Sequence, residues 1–213
     1  MKLVTVLNNK GGCGKTFVCV VLAELLMIAG KRVAVVDLDT TQLDAVKALR
    51  LMNGLPVFPN VDIIPSPGEV PDYKALREYD FVIADCPSKF IGDENISKTI
   101  EQTDVFIIPI TVQQNALFAY DQTVEYISDG RPIIPVCSMG PRLDTVPKRE
   151  RLELIKNEIG EGWMNILPGV FLPWYDRVEE NLNAQRDFYN KLREEEFAKF
   201  DALRAAVYTA LGM

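Results

Sequence analysis

The sequence predicts one doubly wound α/β domain spanning residues 1–213, with a mostly parallel sheet covered by helices on both faces. Three observations carry that prediction. Short runs rich in Val, Ile and Leu recur along the chain, longer amphipathic stretches separate them, and a glycine-rich turn follows the first run directly. Strands of a parallel sheet read as near-continuous apolar runs because neither face of the sheet meets water. A chain of 213 residues with 48% hydrophobic content suits a single core of ordinary size better than two small ones.

Strands are expected at Leu3–Leu7, Arg32–Val36, Val61–Ile64, Phe81–Ala84, Val105–Ile108, Ile133–Cys137 and, from a weaker signal, Gly169–Leu172. Helical spacing falls at 16–29, 42–52, 71–78, 93–102, 115–128, 147–159 and 178–211, the last broken near Asp187. The proline-rich stretch 56–71 reads as a loop around a short strand, not as a linker. In such folds ligands bind beyond the carboxyl ends of the strands. Residues 10–16, Asp37, Asp85 and Pro109 all fall at strand ends.

Residues 10–16 read K-G-G-C-G-K-T. A strand emptying through glycines into a helix aims several backbone N–H groups into one concavity, where the helix dipole also favours negative charge. That is a phosphate cradle, formed here by Gly11, Gly12, Cys13 and Gly14. Lys15 reaches the β- and γ-phosphates in this arrangement, and the Thr16 hydroxyl ligates Mg²⁺, as in a Walker A loop. The usual spacing G-x-x-x-x-G-K-[ST] needs a glycine at position 9; this chain has Asn9 there and a second lysine, Lys10, beside it. The loop is a variant of the pattern.

The run V-A-V-V-D-L-D ends a buried strand in Asp37 and Asp39, which alternate across the chain. One faces the nucleotide while the other braces the metal shell or the loop. Residues 79–87, Y-D-F-V-I-A-D-C-P, deliver Asp85 to the sheet edge, the Walker B pattern in which a carboxylate holds Mg²⁺ directly or through water. Thr16, Asp37 and Asp85 therefore form the expected metal set. With no histidine in the chain, proton handling falls to carboxylates, lysine or water.

The formal charge of −7 argues against binding nucleic acid through overall charge, leaving only a local basic patch for that task. The four cysteines, Cys13, Cys19, Cys86 and Cys137, form no C-x-x-C pair and sit in or beside apolar segments, as reduced thiols of an intracellular protein do. Met1 and Lys2 run straight into a strand without a signal peptide, and no apolar stretch reaches the roughly 18 residues of a membrane span. A cytoplasmic protein is expected.

Together K-G-G-C-G-K-T at 10–16, V-D-L-D at 36–39, D-C-P-S at 85–88, the strand-and-proline segment Val105–Pro109 and L-P-W at 172–174 resemble the deviant Walker A P-loop ATPases of the ParA/MinD group. Small plasmid and chromosome partition ATPases of the ParA/Soj/ParF type are the most similar. The resemblance covers nearly the whole chain and implies ATP and Mg²⁺ as cofactors, slow ATP hydrolysis and an ATP-sandwiched homodimer. It also implies an adaptor similar to ParB that stimulates hydrolysis, and nucleoid association in the ATP state. By the same resemblance Lys10 is the signature lysine that crosses the dimer to the other protomer's nucleotide. Lys15 is the phosphate-loop lysine, Asp39 orients the attacking water, Asp85 belongs to the second switch, and Pro173 lies against adenine. Two departures stand out. Phe17 occupies the nucleotide-binding position where the family carries Ser or Thr, and the first switch, D-L-D-T-T-Q, lacks the proline of D-x-D-P-Q.

Two partner surfaces are open to such a switch. Non-specific DNA would be met by Arg142, Lys148, Arg149, Arg151 and Lys156, or by Arg177, Arg186, Lys191, Arg193 and Lys199. Residues 141–213 nevertheless carry 11 Lys and Arg against 13 Asp and Glu, a mixture that also describes an ordinary solvated helix face. A membrane would be met by an amphipathic C-terminal helix, as in MinD-like proteins. Phe197, Phe200, Leu203, Val207 and Leu211 recur at helical spacing, but Glu194, Glu195, Glu196 and Asp201 replace the cations a membrane-surface helix carries, which favours a core-facing helix without stable membrane insertion. A nucleotide-dependent scaffold with little hydrolysis is a third reading.

Overall fold

The computed structural model describes residues 1–39, 61–66, 69–111, 115–140, 150, 153–154, 157, 170–173 and 194–213. Its strands are β1 (Lys2–Val6), β2 (Val33–Asp37), β3 (Val61–Pro65), β4 (Phe81–Asp85), β5 (Val105–Thr111), β6 (Ile133–Gly140) and β7 (Val170–Pro173). Helices are α1 (Lys15–Ile28), α2 (Glu94–Gln102), α3 (Ala116–Ile127) and α4 (Glu194–Ala210). All seven strands join one sheet in the order β3-β2-β4-β1-β5-β6-β7, and every pairing is parallel. Each expected strand is present.

Strand alternation divides the core in two. From β1, Val4 and Val6 enter a cluster with Val18, Leu22 and Leu25 of α1 and Leu203 and Val207 of α4. Leu3 and Leu7 enter the opposite cluster, with Ile96 and Ile100 of α2 and Tyr120 and Val124 of α3. Thr5, wholly buried on the second face, satisfies its hydroxyl against Thr103 Oγ1 at 2.6 Å. Fully burying one such aliphatic side chain stabilises the fold by about 1.5–3 kcal/mol. The C-terminal apolar spacing is thus core for Leu203 and Val207, and no helix among the described residues is long and apolar enough to cross a membrane.

Helices α1, α2 and α3 follow the predicted spans to within one residue at either end. The stretch 71–78 does not form the expected helix. Its backbone closes i→i+3 bonds, Ala75 N–H to the Asp72 carbonyl and Leu76 N–H to the Tyr73 carbonyl. Asp72 Oδ1 also takes the Lys74 N–H, a local bond that competes with a helix. Burial of Tyr73, bonded through its hydroxyl to Thr99, fixes that turn against α2. The expected helix at 42–52, most of that at 147–159, residues 178–193 of that at 178–211, and Thr40, Thr41 and Gln42 lie outside the described residues.

Candidate nucleotide site at the carboxyl edge of the sheet

The chain leaves β1 at Val6 and enters α1 at Lys15 through a loop pinned at its base. Asn8, 1% exposed, donates from Nδ2 to the Pro109 carbonyl at 2.7 Å and accepts the Lys10 N–H at Oδ1. The Asn9 N–H donates to Thr123 Oγ1 of α3. Gly12 and Gly14 hold φ of 69° and 87°, a conformation that a side chain would strain. Gly14 caps α1 without a side-chain bond, and none of the residues in its first turn is acidic, as suits an anion at the helix start.

Lys15 is 8% exposed and folds back over the loop. Its Nζ donates to the Lys10 carbonyl at 3.2 Å and to Ser88 Oγ at 3.1 Å, with the Cys13 sulfur farther off at 3.9 Å. Thr16 donates from Oγ1 to Asp85 Oδ2 at 2.7 Å. The next residue, Phe17, packs partly buried against the α1–α4 core.

Strands β2 and β4 are neighbours in space though not in sequence, and their register sets Asp37 opposite Asp85. Both carboxylates are buried, at 0% and 2% exposure. Burial first and the Asp37 charge next push Asp85 up to about 7, while the Thr16 hydroxyl and Lys15 act the other way. Asp85 Oδ1 has no hydrogen-bond partner. Asp39 is half-buried beyond the strand end, and its N–H donates to Asp37 Oδ1 at 3.1 Å.

An orphaned buried carboxylate oxygen beside a hydroxyl and a second carboxylate fits a divalent cation with oxygen ligands. No trio of Cys, Asp and Glu among the described residues is grouped to hold a metal alone, so the remaining ligands would come from phosphate or water. Cys13, Cys19 and Cys86 are buried thiols outside any disulfide, each pushed up by burial and therefore protonated and unreactive near neutrality.

Pro173 ends β7 at the same edge of the sheet, three strands away from β1. At about 4.8 Å per strand it stands roughly 14 Å from the phosphate loop along the sheet. The structure thus brings Lys15, Thr16, Asp37, Asp39 and Asp85 together around the loop and leaves Pro173 apart. Of the cationic residues named for DNA, Arg142, Lys148, Arg149, Arg151, Lys156, Arg177, Arg186, Lys191 and Arg193 lie outside the described residues, as does the Lys199 side chain.

Residues 4–159 match the model of the CobQ/CobB/MinD/ParA nucleotide-binding domain. The chain belongs to that family. This member shares its fold with solved structures of low sequence identity. The MinC:MinD cell division complex of Aquifex aeolicus has a TM-score of 0.75 at 15% identity, with 97% of this chain and 96% of that chain covered. A Cyanothece McdA–ATP complex gives 0.70 at 17%, covering 97% and 96%. pNOB8 ParA bound to nonspecific DNA gives 0.66 at 17%, covering 99% and 98%. No curated protein matches the chain in sequence.

Sequence reasoning missed four residues of the site. Asn8 and Asn9 carried a readable signal, a polar pair between an apolar strand and a glycine turn. Ser88 was visible only as the last letter of D-C-P-S. Thr123 gave none, since nothing local ties a mid-helix threonine to a loop more than 100 residues earlier.

Proposed function

We propose that this ParA/MinD-family chain is a ParA-like ATPase that binds and slowly hydrolyses Mg·ATP. It forms an ATP-sandwiched homodimer and binds non-specific DNA in that state, so as to segregate or position plasmid, chromosome or other cargo. The observation that carries the reading is the bonding of Thr16 to Asp85 and of Lys15 to Ser88 where the glycine turn enters α1. Residues 1–213 act as one ATPase domain, cytoplasmic and nucleoid-associated when ATP is bound.

The loop amides from Gly11 to Phe17 and Lys15 hold the phosphates, and Pro173 contributes to the adenine side. Thr16, Asp37 and Asp85 would hold Mg²⁺, which neutralises phosphate charge when bound. An ion held beside Asp85 would favour the ionised form of that carboxylate, which now accepts the Thr16 hydroxyl. Asp39 orients the attacking water, and Lys10 of each protomer serves the other's nucleotide in the manner of an arginine finger. An adaptor similar to ParB stimulates turnover.

A scaffold with little hydrolysis is supported by Phe17 and by the proline missing from the first switch. A MinD-like membrane role fits less well, because Leu203 and Val207 are already spent on the core. Phosphate release measured with and without DNA decides between enzyme and scaffold. Turnover that rises with DNA supports the proposal; nucleotide binding without release supports the scaffold.

A further inference from the structure

The bond between Lys15 and Ser88 joins the phosphate loop to the segment that follows β4. Cys86 at its start is tied by its N–H to the Val6 carbonyl, and Phe90 at its end is wholly buried, so the chain between them is stretched across the loop. Ser88 sits beside Gly11: a Cβ placed there would stand 3.5 Å from Ser88 Oγ. Lys15 has three N–H donors, and its oxygen partners are one carbonyl from its own loop and this one hydroxyl from outside it. The third partner is the Cys13 sulfur at 3.9 Å, so a phosphate oxygen recruited by Lys15 competes with contacts to the protein. The neutral hydroxyl lies outside the cradle, so giving up its bond to Lys15 leaves the backbone of the loop unchanged.

We propose that Ser88 is a latch on Lys15, holding the ammonium down on the loop until phosphate displaces it. Ser88 is then a positioning residue, and its release couples nucleotide arrival to the segment 86–92. That segment leads into α2 and packs against α3, whose Tyr126 meets Phe90 edge-to-face and shares a hydrogen bond with Ser97 of α2 at 2.9 Å. The inference rests on the proposed nucleotide site for its second consequence but not for its first, the shielding of the free lysine.

Two measurements test it on the full chain, with Ser88→Ala and the hydroxyl-keeping Ser88→Thr. Competitive acetylation without nucleotide, read by mass spectrometry as Lys15 modification relative to Lys10, should rise several-fold in Ser88→Ala and stay near wild type in Ser88→Thr. Calorimetry with Mg·ATP should show Ser88→Ala binding about three- to tenfold more tightly, since a competing bond to a charged group is gone. Unchanged Lys15 labelling in Ser88→Ala overturns the latch. So does wild-type-like or weaker ATP binding in that variant while the wild type binds. If the wild type binds no nucleotide, the proposed function fails and the labelling ratio alone still decides the latch.

Discussion

Glu24 gives a prediction whose size follows directly from the structure. It lies on α1 at 7% exposure, with Oε2 buried and without a hydrogen-bond partner. Burial pushes its carboxyl from an ordinary 4.5 up to about 8, so the folded protein carries it protonated at neutral pH. Between those values the native state keeps a proton that the unfolded chain releases, and stability must fall as pH rises. Each pH unit in that window costs about 1.4 kcal/mol, which makes the ceiling about 5 kcal/mol by pH 8, reduced by whatever water reaches the site. Glu24→Gln keeps the shape and removes the titration. The variant should match wild type below pH 4.5 and become progressively more stable than it up to pH 8. Urea unfolding midpoints of both proteins from pH 5 to 8 measure the difference directly, with other carboxylates cancelling. Parallel curves for the two proteins would refute the reasoning, because they would mean that Glu24 is charged in the fold.

Other outcomes follow from the site and the frame. Lys15→Ala should abolish Mg·ATP binding by calorimetry, since it deletes the ammonium at the cradle. Lys10→Ala should block ATP-dependent dimerisation or turnover, whereas Asp39→Ala should trap an ATP-bound dimer, both read by size-exclusion chromatography and phosphate release. Asp93 caps α2 by accepting the Asn95 and Ile96 N–H groups at 2.8 and 3.2 Å; Asp93→Ala should cost about 1 kcal/mol, or roughly 2–4 °C in thermal midpoint. ATP-dependent DNA binding should weaken steeply across a salt series, as phosphate contacts require, and a flat response would turn attention to a protein partner.

The central strands were legible because burial on both faces of β1, β2, β4 and β5 leaves near-continuous apolar runs, and all seven expected runs became strands. Residues 71–78 were not legible, because their helical spacing of apolar residues came from Tyr73 and Leu76 meeting a neighbouring helix, while Asp72 closed the backbone into turns. The phosphate loop could be read at 10–16 since its function depends on consecutive residues. Its supports could not: Asn8 on Pro109, Asn9 on Thr123 and Lys15 on Ser88 each join residues more than 70 positions apart.

By itself the sequence determined the fold class and a glycine turn between the first strand and the first helix, because the apolar runs of buried strands and the spacing of helices act over a few residues. Only the tertiary structure decided that β2 lies beside β4, which sets two carboxylates face to face in the dry interior and raises Asp85 to about 7. Proximity across a sheet depends on strand order, and strand order is fixed by how helices of both faces pack, a property that no single stretch of chain contains.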